Sequence, residues 1–147
     1  MTDPLSVTVA VVGLAQAAIS AGREVFDLIS KLRGASAQLE QVNNEVEELN
    51  RTIAEVTRFG ESCRESNLVR KNDESIKILE ELLEHIRQDM SELRKIVGEL
   101  AGQPSRRLNC VKTPIKSVFR GNKISEISSR LGRRKQHLQL VLKIILG

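Results

Sequence analysis

Residues 73–100, DESIKILEELLEHIRQDMSELRKIVGEL, carry the strongest structural signal in the chain. Apolar side chains recur there in alternating steps of three and four residues, a spacing that places them along one face of an α-helix. The series is Ile76, Leu79, Leu83, Ile86, Met90, Leu93, Val97 and Leu100. Leu82 and Ile96 widen this apolar stripe. A helix in a globular bundle needs such a wide stripe, whereas a two-stranded coiled coil does not.

Three further segments repeat the same spacing. The series are Val7, Val11, Leu14, Ala18, Ala21, Val25, Leu28 and Leu32, then Leu39, Val42, Val46, Leu49, Ile53, Val56, Gly60 and Cys63, and lastly Ile124, Ile127, Leu131, Arg134, Leu138, Val141 and Ile145. Helix start and stop signals frame these segments. Asp3 and Pro4 fit an N-cap and a first helical residue, Gly34 separates the first two segments, and Gly102 and Pro104 end the third.

These patterns predict an all-α fold, an antiparallel bundle of four long helices in a single domain spanning residues 1–147. Residues 64–72 lose the period and read as a polar connection. Residues 103–122 contain two prolines, and we expect a loop there with a short helix near 115–120. An extended coiled coil that dimerises through the same faces is the rival architecture, which the widened stripes disfavour.

The charge is distributed unevenly along the chain. Residues 1–102 hold 12 Lys and Arg against 18 Asp and Glu, a net charge of −6, whereas residues 103–147 hold 11 against one, a net charge of +10. In one interpretation an acidic helix pairs with a basic one inside the bundle. In the other, the basic segment forms a face for anionic lipid or nucleic acid.

Cysteine use and the first residues predict an intracellular protein. Cys63 and Cys110 are far apart and belong to no CxxC or Cys/His cluster, so neither a disulfide framework nor a zinc site is expected. The apolar start has no basic segment before it, because Asp3 is the only early charge, so no signal peptide is predicted. Thr2 replaces the glycine that myristoylation requires.

The first segment is unusual because residues 4–22, PLSVTVAVVGLAQAAISAG, contain no charge. This length reaches the threshold for a membrane-spanning helix. The small residues Gly13, Ala17 and Ala21 recur four apart, a spacing that lets helices approach closely in lipid. For the resting protein we instead expect a central helix, surrounded on most sides by the others. A permanent span is disfavoured because the helix continues into the charged residues 23–27.

Two stretches of the sequence resemble the fungal HeLo-like N-terminal domains. Residues 1–18, MTDPLSVTVAVVGLAQAA, show the acidic-Pro-Leu-Ser start and the Val/Ala/Gly-rich helix of that family. Residues 116–146, KSVFRGNKISEISSRLGRRKQHLQLVLKIIL, resemble its basic-aromatic segment and final amphipathic helix. HeLo-like domains precede the nucleotide-binding domain of STAND-type (NLR-like) receptors and related proteins of fungal programmed cell death and innate immunity.

The resemblance implies a cytoplasmic helical bundle that moves to the plasma membrane on activation. Oligomerisation, triggered by an upstream STAND receptor, would release the first helix to permeabilise the membrane. Applied to this chain, the inserting segment is Leu5–Ala21, with the candidate residues Leu5, Val7, Val9, Val11, Val12, Leu14 and Ile19. The candidates for anionic lipid are Arg106, Arg107, Lys112, Lys116, Arg120, Lys123, Arg130, Arg133 and Lys135.

Other functional classes fit less well. A soluble signalling or oligomerisation adaptor, which acts through helix–helix contacts and never touches lipid, explains the apolar faces equally well. Nucleic-acid binding is not expected, because the basic segment has only Phe119 as an aromatic neighbour. An enzyme is not expected either, and we predict no catalytic residue, metal or cofactor. His85, beside Glu81 and Asp89, and His137 belong to no catalytic pattern and should face solvent.

Arg134 interrupts the apolar series of the last segment. An arginine at such a position either pairs with an acid from a neighbouring helix or extends past its apolar neighbours into water. We predict the second arrangement, at one end of the hydrophobic layer.

Overall fold

The computed structural model describes residues 4–32, 37–62, 73–101 and 114–146, and these residues form four helices. The helices are α1 (Pro4–Lys31), α2 (Ala37–Ser62), α3 (Asp73–Ala101) and α4 (Pro114–Leu146). The predicted all-α class is therefore confirmed, and no strand occurs within the described ranges. The predicted connection at 64–72 and most of the predicted loop, residues 103–113, lie outside them.

The four helices are arranged in a ring in which each packs against two others. Both α1 and α4 pack against α2 and α3, so α1 lies diagonally opposite α4. The ten residues between α2 and α3 extend to at most about 35 Å, less than the length of α2 of about 39 Å. Consecutive helices therefore run antiparallel, and the ion pairs of α3 with α4 agree, since Asp89 contacts Arg134 and Glu92 contacts Lys123.

The predicted core faces of α2, α3 and α4 are confirmed. Buried members of the predicted series are Leu39, Val42, Val46, Leu49, Ile53, Val56, Ile76, Leu79, Leu83, Ile86, Met90, Leu93, Val97, Ile124, Ile127, Leu131, Leu138, Val141 and Ile145. Phe59, Leu82 and Leu142 join them. Cys63 lies outside the described residues, and the burial of Leu100 and Gly60 is not described, although both lie in helices. The core is aliphatic, as the composition requires.

The predicted core face of α1 is confirmed only in part, at Val11, Ala18 and Val25. The fully buried positions are Val11, Ala15, Ala18, Gly22, Val25 and Ile29. The predicted Leu14, Ala21, Leu28 and Leu32 are only half-buried, at the edge of the interface. At three turns the buried residue is the one that follows the predicted residue: Ala15, Gly22 and Ile29 are buried instead of Leu14, Ala21 and Leu28. Gly22 lies where α1 closely approaches Asn50 of α2.

The expectation that α1 is the central helix is also wrong. It packs against α2 and α3 and turns its remaining surface outward. Small residues and a lack of charge had suggested that α1 is buried. In the structure, both its inner and its outer face contain small, uncharged residues.

The start of α4 requires one more correction. The short helix expected near 115–120 is not separate, because α4 runs without a break from Pro114 to Leu146. Proline is well suited to the first position of a helix, since its fixed φ matches the helical value and its missing N–H needs no partner there. Gly121 is tolerated inside the helix at a cost of about 1 kcal/mol.

Candidate functional site

The outward surface of α1 is uncharged over about three turns. The exposed positions between residues 9 and 22, called here the outer α1 face, are Val9, Ala10, Gly13, Gln16, Ala17 and Ser20. Val9 is 57% exposed. The only polar groups among these six are an amide and a hydroxyl, and the first charged residue to follow is Arg23. The outer helix of a soluble bundle usually carries charges on its solvent side.

Among the described residues, α1 is the one helix whose length and composition would allow it to cross a membrane. The qualifying stretch is Val9–Lys31, of which 28% is buried inside the bundle. A core helix of a soluble protein can pass the same test, but it is then mostly buried. The low buried share distinguishes α1 from such a helix.

The predicted insertion residues are distributed around α1. Val9 points outward, Val11 is buried in the core, and Val12, Leu14 and Ile19 are half-buried between these extremes. Leu5 and Val7 lie in α1, but their side chains are outside the described part. The structure thus brings these residues onto one helix, but not onto one exposed face.

One side of α2 carries polar atoms without hydrogen-bond partners among the described residues, and one of these residues, Asn50, lies against α1. Asn43, Asn50 and Thr57 are spaced by seven residues and share one side of α2. Their atoms Asn43 Oδ1, Asn50 Oδ1 and Thr57 Oγ1 are buried without a hydrogen-bond partner among the described residues. Each such group costs about 1–3 kcal/mol relative to a satisfied one. The sequence analysis did not single out these residues, and their seven-residue spacing was the available signal.

Asn50 lies against the closest part of α1. A Cβ atom built on Gly22 would come within 2.5 Å of Asn50 Oδ1 and 2.6 Å of its Nδ2. The glycine therefore makes room for the Asn50 amide. Of the ion pairs that the structure describes, one joins α1 to its neighbours, between Glu24 and Arg94, and both side chains are largely exposed. Exposed pairs of this kind contribute little to stability.

The opposite side of the bundle has a network of ion pairs between α3 and α4. Asp89, whose side chain is only 6% exposed, accepts a hydrogen bond of 2.5 Å from Arg134 Nε and lies 3.7 Å from Arg130. Glu92 extends the network, at 3.3 Å from Arg130 and 3.1 Å from Lys123. Buried charges of this kind persist only when they are paired.

Two predictions change because of this network. Arg134 does not extend past the apolar layer at its end; it lies between the buried Leu131 and Leu138 and pairs with an acid, the alternative arrangement. Asp89 is buried, although we expected it beside His85 at the surface. Its position three residues after the buried Ile86 and four before Leu93 was the available sequence signal.

α4 is also paired with α2. Lys135 Nζ donates a hydrogen bond of 2.6 Å to Glu48 Oε2 and lies 3.6 Å from Glu45. The hydrogen bond from Lys135 lowers the pKa of the Glu48 carboxyl, and the same bond raises the pKa of Lys135. The interpretation in which basic and acidic helices pair inside the bundle is thus realised on both flanks of α4.

The predicted lipid-binding cations therefore differ in whether they form ion pairs within the bundle. Lys123, Arg130 and Lys135 are engaged in ion pairs, whereas Arg133 is exposed and makes no ion pair with any described residue. The side chains of Lys116 and Arg120 lie outside the described part, as do Arg106, Arg107 and Lys112. Lipid binding by these residues stays a prediction.

The histidines face solvent, as predicted: His85 and His137 are both exposed. Within the described residues no group of three or more His, Cys, Asp or Glu side chains could hold a metal ion.

Comparison with known proteins gives one match. Residues 2–145 match the family model described as "Pigment biosynthesis cluster protein PigL N-terminal". No curated protein and no solved structure matches the chain. Since the match covers nearly the whole sequence, the chain belongs to the PigL N-terminal family.

Proposed function

For this member of the PigL N-terminal family, we propose a membrane-disrupting function in which α1 is the inserting element. The observation that carries the proposal is the uncharged, outward surface of α1 on a helix only 28% buried over its apolar stretch. The resemblance of residues 1–18 to HeLo-like domains supports it. The domain would act in cell death, activated by homo-oligomerisation under an upstream receptor, and would move from the cytoplasm to the plasma membrane.

The dimensions of α1 suit a bilayer. Its uncharged part, residues 4–22, would be about 28 Å long as a helix, close to the hydrocarbon thickness of about 30 Å. Outside the bundle, α1 would expose Val11, Ala15 and Ala18 in addition to its outer face. All sides of this stretch would then be compatible with lipid, and the small residues Gly13 and Ala17 would allow close contact between inserted copies.

The polar contacts of α1 are weak, although its interfaces with α2 and α3 are the most extensive in the bundle. Its inner face includes several small side chains and meets Asn50 of α2, whose Oδ1 has no hydrogen-bond partner among the described residues, and its described ion pair is exposed. α4, in contrast, is held by the pairs of Arg134 with Asp89 and of Lys135 with Glu48. Of these two helices, α1 has the weaker polar attachment.

A soluble adaptor is the second candidate, because one observation also favours it. Ala10, Gly13 and Ala17 leave a smooth outer surface, and a Cβ on Gly13 would meet nothing within 4 Å. A partner helix could therefore approach α1 closely in water, without any lipid. This adaptor would bind through α1 and leave membranes intact.

Dye release from liposomes containing anionic lipid tests the proposal. The proteins are the intact chain, a version fused to an inducible dimeriser, and both with Val9→Glu. Because Val9 is exposed, the charge should leave the bundle folded but oppose insertion, at a cost below the value of about 2.5–3.5 kcal/mol for a charged residue at mid-membrane, since Val9 lies off the centre of the stretch. Ser91→Glu, on the exposed surface of α3, is the matched control.

We expect leakage that rises on dimerisation, is abolished by Val9→Glu and is unchanged by Ser91→Glu. Circular dichroism establishes that every variant remains helical. Absence of leakage from all versions would refute the membrane function and favour the adaptor. Equal leakage from the Val9→Glu variant would exclude α1 as the inserting element.

A further inference from the structure

The last turns of α4 carry a second exposed surface with a different chemistry. Its outward positions, called here the α4 terminal face, are Arg133, Gln136, His137, Leu140, Lys143 and Ile144. Leu140 is 56% exposed and Ile144 58% exposed. Leu140 and Ile144 are one turn apart, so they form a continuous aliphatic patch. The chain contains no acidic residue after Glu126, so this face combines aliphatic side chains with positive charge only.

The cations of this face are available. Lys123, Arg130, Arg134 and Lys135 point toward α2 and α3 and are engaged with acids there. Arg133 and Lys143 make no ion pair with any residue that the structure describes, and both side chains are exposed. Between residues 123 and 143, the positive charge of α4 is thus divided into an inner set paired with acids and an outer set without an ion pair to any described residue.

We propose that the α4 terminal face docks the folded bundle onto an anionic bilayer surface. Leu140 and Ile144 would enter the boundary between headgroups and acyl chains, and Arg133 and Lys143 would contact the lipid phosphates, an arrangement typical of interfacial helices. A second copy docked through the same face would bring these unpaired cations against each other, which opposes a symmetric dimer. The proposal rests on the proposed membrane function and assigns its first step.

The ring order of the helices gives this step a consequence. Because α4 lies diagonally opposite α1, a bundle docked through α4 turns its outer α1 face away from the bilayer. Docking and insertion therefore use different helices, and the docked protein should permeabilise vesicles less than the dimerised protein does. Insertion then requires α1 to leave the bundle.

Flotation of the intact chain with vesicles tests the assignment. Vesicles of phosphatidylcholine with phosphatidylserine are compared with phosphatidylcholine alone, at low and high salt. Ile144→Gln removes one aliphatic contact, and its matched control is Ile78→Gln, at an exposed isoleucine of α3. A second variant joins Arg133→Gln to Lys143→Gln. Its control joins Lys77→Gln and Lys95→Gln, at two exposed lysines that make no ion pair with the residues that the structure describes.

We expect salt-sensitive binding to the anionic vesicles only. Ile144→Gln and the Arg133→Gln/Lys143→Gln variant should each weaken it, the latter by on the order of tenfold or more, while both controls bind like the unaltered chain. Binding that is equal for the face variants and their controls would overturn the proposal. So would a face variant that loses self-association, measured by sedimentation, instead of vesicle binding, since that would assign the face to a second copy.

The two proposals fail separately. Vesicle binding that needs the α4 terminal face, with no leakage even after forced dimerisation, would keep the docking assignment and refute membrane disruption. Leakage that needs Val9 but persists undiminished in the Arg133→Gln/Lys143→Gln variant would keep membrane disruption and refute docking through α4.

Discussion

The contact between Gly22 and Asn50 makes the close packing of α1 on α2 measurable. Gly22→Ala adds one methyl group within 2.5–2.9 Å of three Asn50 side-chain atoms, Oδ1, Nδ2 and Cγ. Real carbon atoms do not approach so closely, so the amide or the helix must move. The atoms met are the end of the Asn50 side chain, which is partly exposed and can rotate, so moving the amide relieves part of the clash.

Two opposing terms set the size of the effect. Replacing glycine by alanine inside a helix stabilises it by about 1 kcal/mol, whereas overpacking an interface costs about 1–3 kcal/mol. Gly22→Ala should therefore be neutral to destabilising, by up to about 2 kcal/mol. In a chain that already carries Asn50→Ala the obstructing atoms are gone, and the same Gly22→Ala should be stabilising by about 1 kcal/mol.

Urea unfolding followed by circular dichroism, on the four proteins of this cycle, gives the free energies. The expected coupling between the two positions is about 1–3 kcal/mol. Gly98→Ala is the control, because a Cβ there would meet nothing within 4 Å, and it should stabilise both backgrounds equally. If Gly22→Ala also stabilised both backgrounds equally, the proposed contact between α1 and α2 would be wrong.

The remaining predictions concern the ion pairs of α4. Arg134→Leu leaves the buried Asp89 carboxylate with only the more distant Arg130, so we expect a loss of about 1–3 kcal/mol in urea unfolding. Adding Asp89→Leu should restore most of it, and a double variant no more stable than the single one would contradict the pairing. The lowered pKa of Glu48 stabilises the fold fully above its unfolded value near 4.5, and this contribution is lost as pH falls through the lower folded pKa. The melting temperature should therefore fall less steeply in that acid range for Lys135→Gln than for the unaltered chain; equal slopes would show that Lys135 does not shift Glu48.

The sequence predicted the fold because the apolar period of α2, α3 and α4 depends on large side chains alone. On α1 it was right for Val11, Ala18 and Val25, but the same rule favoured Leu14 over Ala15 and Ala21 over Gly22. The closeness of α2, which only the assembled bundle shows, decides that the small residues face inward. A pattern of apolar side chains cannot identify a position that is buried because it carries glycine.

The candidate surfaces were predictable to different degrees. The lack of charge in residues 4–22 was visible at once, but which part of it faces outward depended on the corrected register. The positive charge of the last segment was equally visible, yet its division into paired and free cations depends on Asp89, Glu92 and Glu48 from two other helices. Such pairings arise from the tertiary arrangement and have no local signal.

α1 is held in the bundle mainly by apolar contacts, whereas α4 is held in addition by ion pairs. This difference explains how one bundle could contain both a docking helix and an inserting helix. The contacts that hold α1 are mainly apolar, and apolar packing loses its advantage over solvent when the alternative is lipid instead of water. The ion pairs that hold α4 behave in the opposite way, because a surrounding of lower dielectric constant strengthens them. Near a bilayer, the balance should therefore shift toward release of α1 while α4 stays attached to α2 and α3. This reasoning predicts that Asn50→Leu, which replaces an unsatisfied amide by an apolar side chain, raises stability in water without preventing leakage, since lipid can substitute for any apolar contact that the new leucine makes.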